Sequence, residues 1–265
     1  MSTRNLRLLK RQEEILQTLN KSDSMPVRAL AESLAVSGWT VRRDLVRMER
    51  EGLVRRQHGS VSLAAPPPIP PFETFETRSH EHLVAKQSIG QAAAQLLKPN
   101  QHIALGAGTT TTLVARELAR LNQKQMHIMT NALNIALELA HSPNLNITCT
   151  GGDVRSEHYT LTGPVAERAL RTHFYDVAVI GVSGITIKEG LTVNGQLDSI
   201  ALQIMIEQSR RLIVVADSSK IGQVHFVHLA GLSKLDMMVT DRSAPPSFCR
   251  SMADKGIKLV IADFA

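Results

Sequence analysis

A chain of 265 residues, 43% of them apolar, is long enough for one large domain or for a small and a medium one, each with its own packed core. No apolar run reaches the ~18 residues of a membrane span, and no hydrophobic segment follows the basic N-terminus, so a cytoplasmic protein without a secretory signal is expected. Cys149 and Cys249 are too few for a disulfide framework or a metal quartet and are expected to be reduced, partly buried thiols. The formal charge of +6 is unevenly spread: residues 1–63 hold 12 of the 30 basic but only 7 of the 24 acidic side chains. An excess confined to one end is expected where that end alone meets a polyanion.

Val27, Leu30, Ala31 and Leu34 recur at the spacing of one helical face. A tight break at Ala35-Val36-Ser37 follows, with Ser37 placed to cap a second helix. On that helix Val41, Leu45 and Met48 share one side, and Trp39, Arg43, Arg47 and Arg50 share the other. An apolar back with an indole and guanidinium front suits a DNA major groove, where arginine reads guanine edges and holds phosphates. Beyond Gly52, residues 53–63 read as a two-stranded wing with a basic tip. The order of turn, cap, basic helix and wing predicts a winged helix-turn-helix over residues 1–63. Its candidate DNA contacts are Ser37, Gly38, Trp39, Thr40, Arg42, Arg43, Arg47, Arg55, Arg56 and His58. Two of these stay open: Trp39 could anchor the core instead, and Arg42 could hold a phosphate or pair with an acidic neighbour.

Residues 64–72 form a linker, because five prolines within Pro66–Pro71 support neither a helix nor a central strand and favour a stiff extended spacer. Residues 73–265 then alternate short apolar runs with helical patterns. Strands are expected at 103–105, 126–129, 147–149, 177–180, 212–216, 237–239 and 259–261. Helices are expected at 88–97, 112–121, 132–140 and 199–208. Such alternation predicts an α/β domain with a mostly parallel sheet, in which ligands bind beyond the carboxyl ends of the strands.

The residues just past those strand ends are glycines and polar groups: Gly106-Ala107-Gly108-Thr109-Thr110, Thr130-Asn131, Thr150-Gly151-Gly152, Gly181-Val182-Ser183 and Asp217-Ser218-Ser219-Lys220. Backbone donors at a helix start, hydroxyls and an ammonium form a clamp for a phosphate-bearing small molecule. Neither a Walker loop nor a dinucleotide glycine spacing is present. Thr109, Thr110 and Lys220 are the leading ligand candidates, followed by Lys86, with Arg155 as a possible second positive group. Ordinary helix capping is the competing role for the threonines. His225 and His228 are spaced for a metal but lack neighbouring carboxylate or thiol ligands in sequence, so no metal and no cofactor are expected.

The motifs Val36-Ser37, Thr40-Val41-Arg42-Arg43-Asp44-Leu45, Gly52-Leu53 and Arg56-Gln57-His58-Gly59 resemble those of bacterial DeoR-type transcriptional regulators. Lys86, Gly108-Thr109-Thr110, Thr130-Asn131, Gly151-Gly152, Gly163, Gly190-Leu191, Asp217-Ser218-Ser219-Lys220 and Thr240-Asp241 continue the resemblance in the family's order. It implies a repressor of carbohydrate-metabolism genes whose C-terminal domain, related in fold to ribose-5-phosphate isomerase, senses a phosphorylated sugar. It also implies a homo-oligomer, dimer or tetramer, on paired operator half-sites. The effector positions it carries over are Lys86, Gly108, Thr109, Thr110, Asn131, Gly151, Gly152, Asp198, Asp217 and Lys220. Two other readings remain: a phosphosugar isomerase with a DNA-binding appendage, for which Asp198 and Asp217 are the only obvious bases, and a DNA-binding regulator with a non-functional sensor.

Overall fold

The computed structural model describes residues 11–12, 14–15, 18–19, 24–34, 36–50, 53–57, 59–63, 74–121 and 125–263. His58, the side chain of Arg50 and the predicted linker at 64–72 lie outside the described residues. The chain divides into two compact units, Met1–Pro68 and Ile69–Ala265. Among the described residues, no helix is long and apolar enough to cross a membrane.

In the first unit, strand β1 (Met25–Pro26) leads into helix α1 (Val27–Ser33), followed by helix α2 (Gly38–Arg50) and the antiparallel hairpin of β2 (Val54–Gln57) and β3 (Ser60–Leu63). β1 adds to the hairpin through Met25 opposite Val61. The expected two helices and wing are therefore present. Leu30, Val41, Leu45 and Met48 are fully buried together with Ile15 and Leu19, and Val54 and Val61 bring the wing onto the same small core. The Leu53 amide donates to the Met48 carbonyl at 2.9 Å, which ties the end of α2 to the start of the wing.

The second unit is built on seven parallel strands: β4 (His102–Leu105), β5 (Met126–Thr130), β6 (Leu145–Cys149), β9 (Val177–Ile180), β12 (Leu212–Val215), β14 (Met237–Asp241) and β15 (Lys258–Ala262). All seven expected runs lie in this sheet, in the order β15-β14-β12-β9-β4-β5-β6. The order grows outward in both directions from the β4–β9 pair, so the sheet has a topological switch point there. Strand alternation sends Ile103, Leu105, Val179 and Val215 to one face and Ala104, Ala178, Ile180 and Val214 to the other. Helices α4 (Leu83–Gln95), α5 (Thr109–Leu121) and α6 (Leu133–Leu139) cover the first face. Helices α8 (Gln196–Glu207) and α9 (Pro246–Asp254) cover the second, with Met205 and Phe248 in its core.

Periodicity alone did not reveal several short elements. These are helix α3 (Phe75–His80), the hairpin β7 (Asp153–Arg155) and β8 (Thr160–Thr162), helix α7 (Pro164–Arg171), and a small antiparallel sheet of β10 (Gly184–Thr186), β11 (Gly190–Val193) and β13 (Val227–Ala230). At three to eight residues each, they give only one or two repeats of either period, too few to mark an element. Cys149 is exposed rather than partly buried, at the end of β6, which is an edge of the sheet among the described residues; Cys249 is half-buried.

Helices α4 and α5 meet at Gly90, where an added Cβ would lie 2.9 Å from the carbonyl carbon of Leu113. That neighbour is backbone and cannot rotate away. Gly90→Val should therefore destabilise the protein by about 1–3 kcal/mol, read from the urea midpoint at unchanged slope. An unchanged midpoint would show that the two helices do not pack this closely.

Candidate functional site

Two surfaces collect the residues singled out above. The first is the front of α2. Ser37 caps the helix: its Oγ accepts from the Thr40 amide at 3.2 Å and lies 2.8 Å from the Thr40 hydroxyl. Burial of Val41, Leu45 and Met48 then turns Gly38, Trp39, Arg42, Arg43 and Arg47 to solvent, with Thr40 half-buried. Trp39 is 68% exposed, which removes the core-anchor alternative. The Arg43 guanidinium sits 4.9 Å from the centroid of its indole, a cation–π contact that restrains both long side chains. Among the described residues Arg42 pairs with no carboxylate. Asp44 is buried on the other side and takes the Arg11 Nε at 2.6 Å.

On the wing, Arg55 is exposed, whereas Arg56 does not project freely. Its Nε donates to Glu49 Oε2 at 2.8 Å and its amide to Glu49 Oε1 at 3.2 Å, which pins the wing to the recognition helix. The same contact holds the Glu49 carboxyl below the usual carboxylate range. His58 lies outside the described residues.

The second surface is a cavity of about 240 Å³ beyond the carboxyl ends of β4, β9 and β12, at the switch point of the sheet. Its wall contains Lys86, Gly108, Thr109, Thr110, Asn131, Asp198, Asp217 and Lys220, eight of the eleven candidate effector residues. The loop after β4 presents the first turn of α5, whose leading amides have no acceptor within the helix. Within that turn the Thr111 and Thr112 hydroxyls donate back to the Gly108 carbonyl at 3.0 and 2.7 Å. Thr109 and Thr110 have no such bond among the described contacts.

Lys220 ends a short 3₁₀ turn, Ser218–Lys220, fixed by two carboxylates. Asp217 accepts from the Ser219 amide at 3.1 Å and from the Ser219 hydroxyl, and Asp241 accepts the Ser218 amide at 2.6 Å. Burial pushes the Asp241 carboxyl up, but the Ser218 and Ser243 amides outweigh it and hold the group below its ordinary range. Lys86 is 2% exposed and donates from Nζ to the Arg78 carbonyl at 2.5 Å. Burial pushes its ammonium below the ordinary lysine range, opposed in part by the nearby Asp217. Asp198 accepts the Thr160 hydroxyl at 2.7 Å. Two buried acceptors on residues of the wall, Asn131 Oδ1 and Asp217 Oδ2, have no donor among the described residues.

Gly151, Gly152 and Arg155 are absent from the wall. A Cβ on Gly152 would lie 2.4 Å from the Thr162 carbonyl, so this glycine permits the close turn into β7. Arg155 reaches Glu157 at 3.8 Å. The sequence reading missed Arg78 in α3, Glu81 just after it, His158 and Thr160 at the β7–β8 turn, and Asn194 and Gln223, and it considered His225 only as a metal ligand. They arrive on short elements that periodicity did not reveal or on the loops beside them. His225 Nδ1 lies 2.6 Å from Asn194 Oδ1, and burial, then Lys220, lowers its pKa. His228 is exposed.

Because the folded Lys86 gives up its proton below the 10.5 of an ordinary lysine, it does so at a pH where the unfolded chain still holds one. Stability from this group therefore rises with pH between the folded value and 10.5. Relative to Lys86→Met, the unaltered protein should gain urea stability on going from neutral to alkaline pH. A difference independent of pH would exclude a lowered Lys86 pKa.

Residues 81–242 match the DeoR C terminal sensor domain, and residues 11–66 match the DeoR-like helix-turn-helix domain. The HTH-type transcriptional repressor GlcR of Bacillus subtilis (strain 168) is 30% identical over 249 residues, spanning 94% of this chain and 94% of the relative. A putative aga operon transcriptional repressor of Escherichia coli O157:H7 is 28% identical over 255 residues, spanning 95% and 93%. Among solved structures, ribose 5-phosphate isomerase A of Methanocaldococcus jannaschii aligns with 18% identity and a TM-score of 0.39 over 51% of this chain and 53% of that one, too partial a match to bear on activity. The relatives carry the names of transcriptional regulators, not of enzymes. The chain belongs to the DeoR family of helix-turn-helix transcriptional regulators.

Proposed function

We propose that this protein is an operator-binding transcriptional repressor of carbohydrate-metabolism genes, acting in the cytoplasm and released from DNA by a phosphorylated sugar. The observation that carries the effector half is the make-up of the cavity. Lys86, Lys220 and the first turn of α5 offer donors and positive charge to a dianion. Glu81 and Asp198, both part-exposed, add acceptors to the same wall. A ligand that is anionic at one end and carries hydroxyl donors at the other meets both the cationic donors and these carboxylates. A phosphorylated sugar has that chemistry; a bare anion supplies only the first part.

For the DNA half, Ser37, Gly38, Thr40, Arg42 and Arg47 would approach the duplex with Trp39 and Arg43, and Arg55 would meet flanking phosphates. Helix-turn-helix readers occupy two half-sites separated by roughly 34–36 Å, so a homo-oligomer is part of the proposal. Effector binding would favour an arrangement in which the two recognition helices no longer match that spacing, with a coupling on the order of 1–3 kcal/mol.

Fluorescence anisotropy on DNA from upstream of the gene, against unrelated DNA and at fixed salt, tests both halves with a panel of sugar phosphates. One compound should weaken specific binding. Arg43→Ala should cost about 1–3 kcal/mol on the operator, and Lys220→Ala should retain DNA binding while losing most of the response. Specific binding that no sugar phosphate changes would overturn the effector half, and equal affinity for unrelated DNA would overturn the operator half.

A further inference from the structure

Trp39 and Arg43 lie one turn apart on the exposed face of α2, within its first two turns. Residues at that end of a recognition helix are the ones that reach base edges in the major groove. The Arg43 guanidinium lies over the indole, 4.9 Å from its centroid. Among the described residues Arg43 makes no hydrogen bond or ion pair, so this stack is what restrains it. Arg56 differs, because its guanidinium is committed to Glu49. Stacking engages the face of a guanidinium and leaves its N–H edges open, so one arginine can rest on the indole and still present its fork. Trp39 is 68% exposed and forgoes the large apolar burial that its ring could gain in a core. Exposed Trp beside Arg is the composition of a surface that recognises a partner.

Gly38 is a second, independent observation. A Cβ built there meets nothing within 4 Å, and its φ is not positive. Neither packing nor backbone conformation therefore requires glycine, although alanine is the better helix residue. The position before the indole is bare for no reason inside the fold, and its bareness leaves the approach to Trp39 open.

These placements discriminate among bases. The arginine fork matches guanine O6 and N7. With Arg43 on a guanine edge, an indole stacked 4.9 Å away, more than the roughly 3.4 Å between successive bases, faces the neighbouring base pair. An indole edge is carbon with a single N–H donor and no acceptor. The thymine methyl is the apolar group that the major groove presents, whereas adenine and cytosine offer amino donors that an indole cannot accept.

We propose that Trp39 and Arg43, with the space left by Gly38, form one reader of a two-base-pair step. Arg43 takes a guanine, and Trp39 covers the methyl of a thymine in the adjacent pair. The inference rests on the operator-binding reading of α2 and adds which bases the helix selects. Trp39 acts twice, as an apolar contact and as the platform that holds the Arg43 fork.

Selection of duplexes from a random pool by the intact protein, followed by fluorescence anisotropy on the selected half-site, tests the reader. The half-site should contain a guanine with a thymine in the adjacent pair. No enrichment of any sequence would overturn the operator-binding reading, and this inference with it. An enriched half-site lacking that step would overturn the reader alone. Replacing the thymine by uracil removes only the methyl and should weaken binding about fourfold, the equivalent of one buried methylene. Replacing the guanine by 7-deazaguanine, which lacks N7, should weaken it about fivefold or more. An unaltered protein indifferent to both changes would overturn the reader without any variant. Trp39→Ala should show no uracil penalty, and Arg43→Ala no deazaguanine penalty, because each lacks the group that meets the altered atom. Undiminished penalties in these variants would overturn the assignment of the two bases. Trp39→Ala should keep the urea midpoint of the unaltered protein, since the indole lies outside the core, which separates lost discrimination from lost folding. Gly38→Ala should leave that midpoint unchanged or raise it, yet weaken operator binding about fivefold or more. Full operator affinity in Gly38→Ala would overturn the close approach at Gly38.

Discussion

The reversal of strand order between β4 and β9 is the constraint on which the rest of the second unit depends. Parallel strands joined by right-handed crossovers place successive helices on one face for as long as the order runs one way. Where the order reverses, the loops leaving neighbouring strands go to opposite faces and a crevice opens between them. Here those loops are the glycine-threonine turn after β4 and the glycine-serine turn after β9. Everything polar in the cavity follows from that gap. A continuous sheet order would have covered the strand ends and left no space for a ligand.

The electrostatics of the cavity are closely balanced. Arg78, Lys86 and Lys220 face Glu81, Asp198 and Asp217, so no large field of one sign builds up around the space. Balance of this kind lets a buried lysine persist, because an uncompensated charge in a low-dielectric interior costs several kcal/mol or shifts its pKa until it neutralises. It also allows selectivity. A ligand that brings hydroxyl donors together with a phosphate would meet both kinds of group.

The first unit solves a different problem with few residues. Its core of Ile15, Leu19, Leu30, Val41, Leu45, Met48, Val54 and Val61 is small, and Asp44 with Arg11 and Glu49 with Arg56 add polar ties around it. The second tie fixes the wing and α2 relative to each other, and the first holds α2 to the residues before it. Arg56 is the instructive case: a basic residue at the expected place on a wing, partly committed to holding the wing in position. Exposure of Trp39 beneath Arg43 shows the opposite use, an aromatic side chain left out of the core to restrain an arginine at the surface.

Much of this was legible in the sequence, because strong local periodicities are set by neighbours along the chain. The seven apolar runs are the seven strands of the parallel sheet, the Ser37 cap and the back face of α2 lie where spacing put them, and eight candidate effector residues meet in one cavity. Helix starts were less legible: α4 begins at Leu83 and α5 at Thr109, both earlier than the apolar pattern suggested, since Leu83 and Val84 are exposed and lie off the buried stripe and α5 opens on four threonines. Gly151 and Gly152 looked like ligand loops, yet Gly152 answers a close approach to the Thr162 carbonyl that no local pattern reveals. Arg78 and His158, 80 residues apart, meet only because α3 docks on the β7–β8 turn. Sequence by itself determined the longer elements and the chemistry available at their ends, through interactions between near neighbours. The tertiary structure alone decided which of those ends face one another, because pairing across long stretches of chain is settled by how the whole sheet and its helices pack.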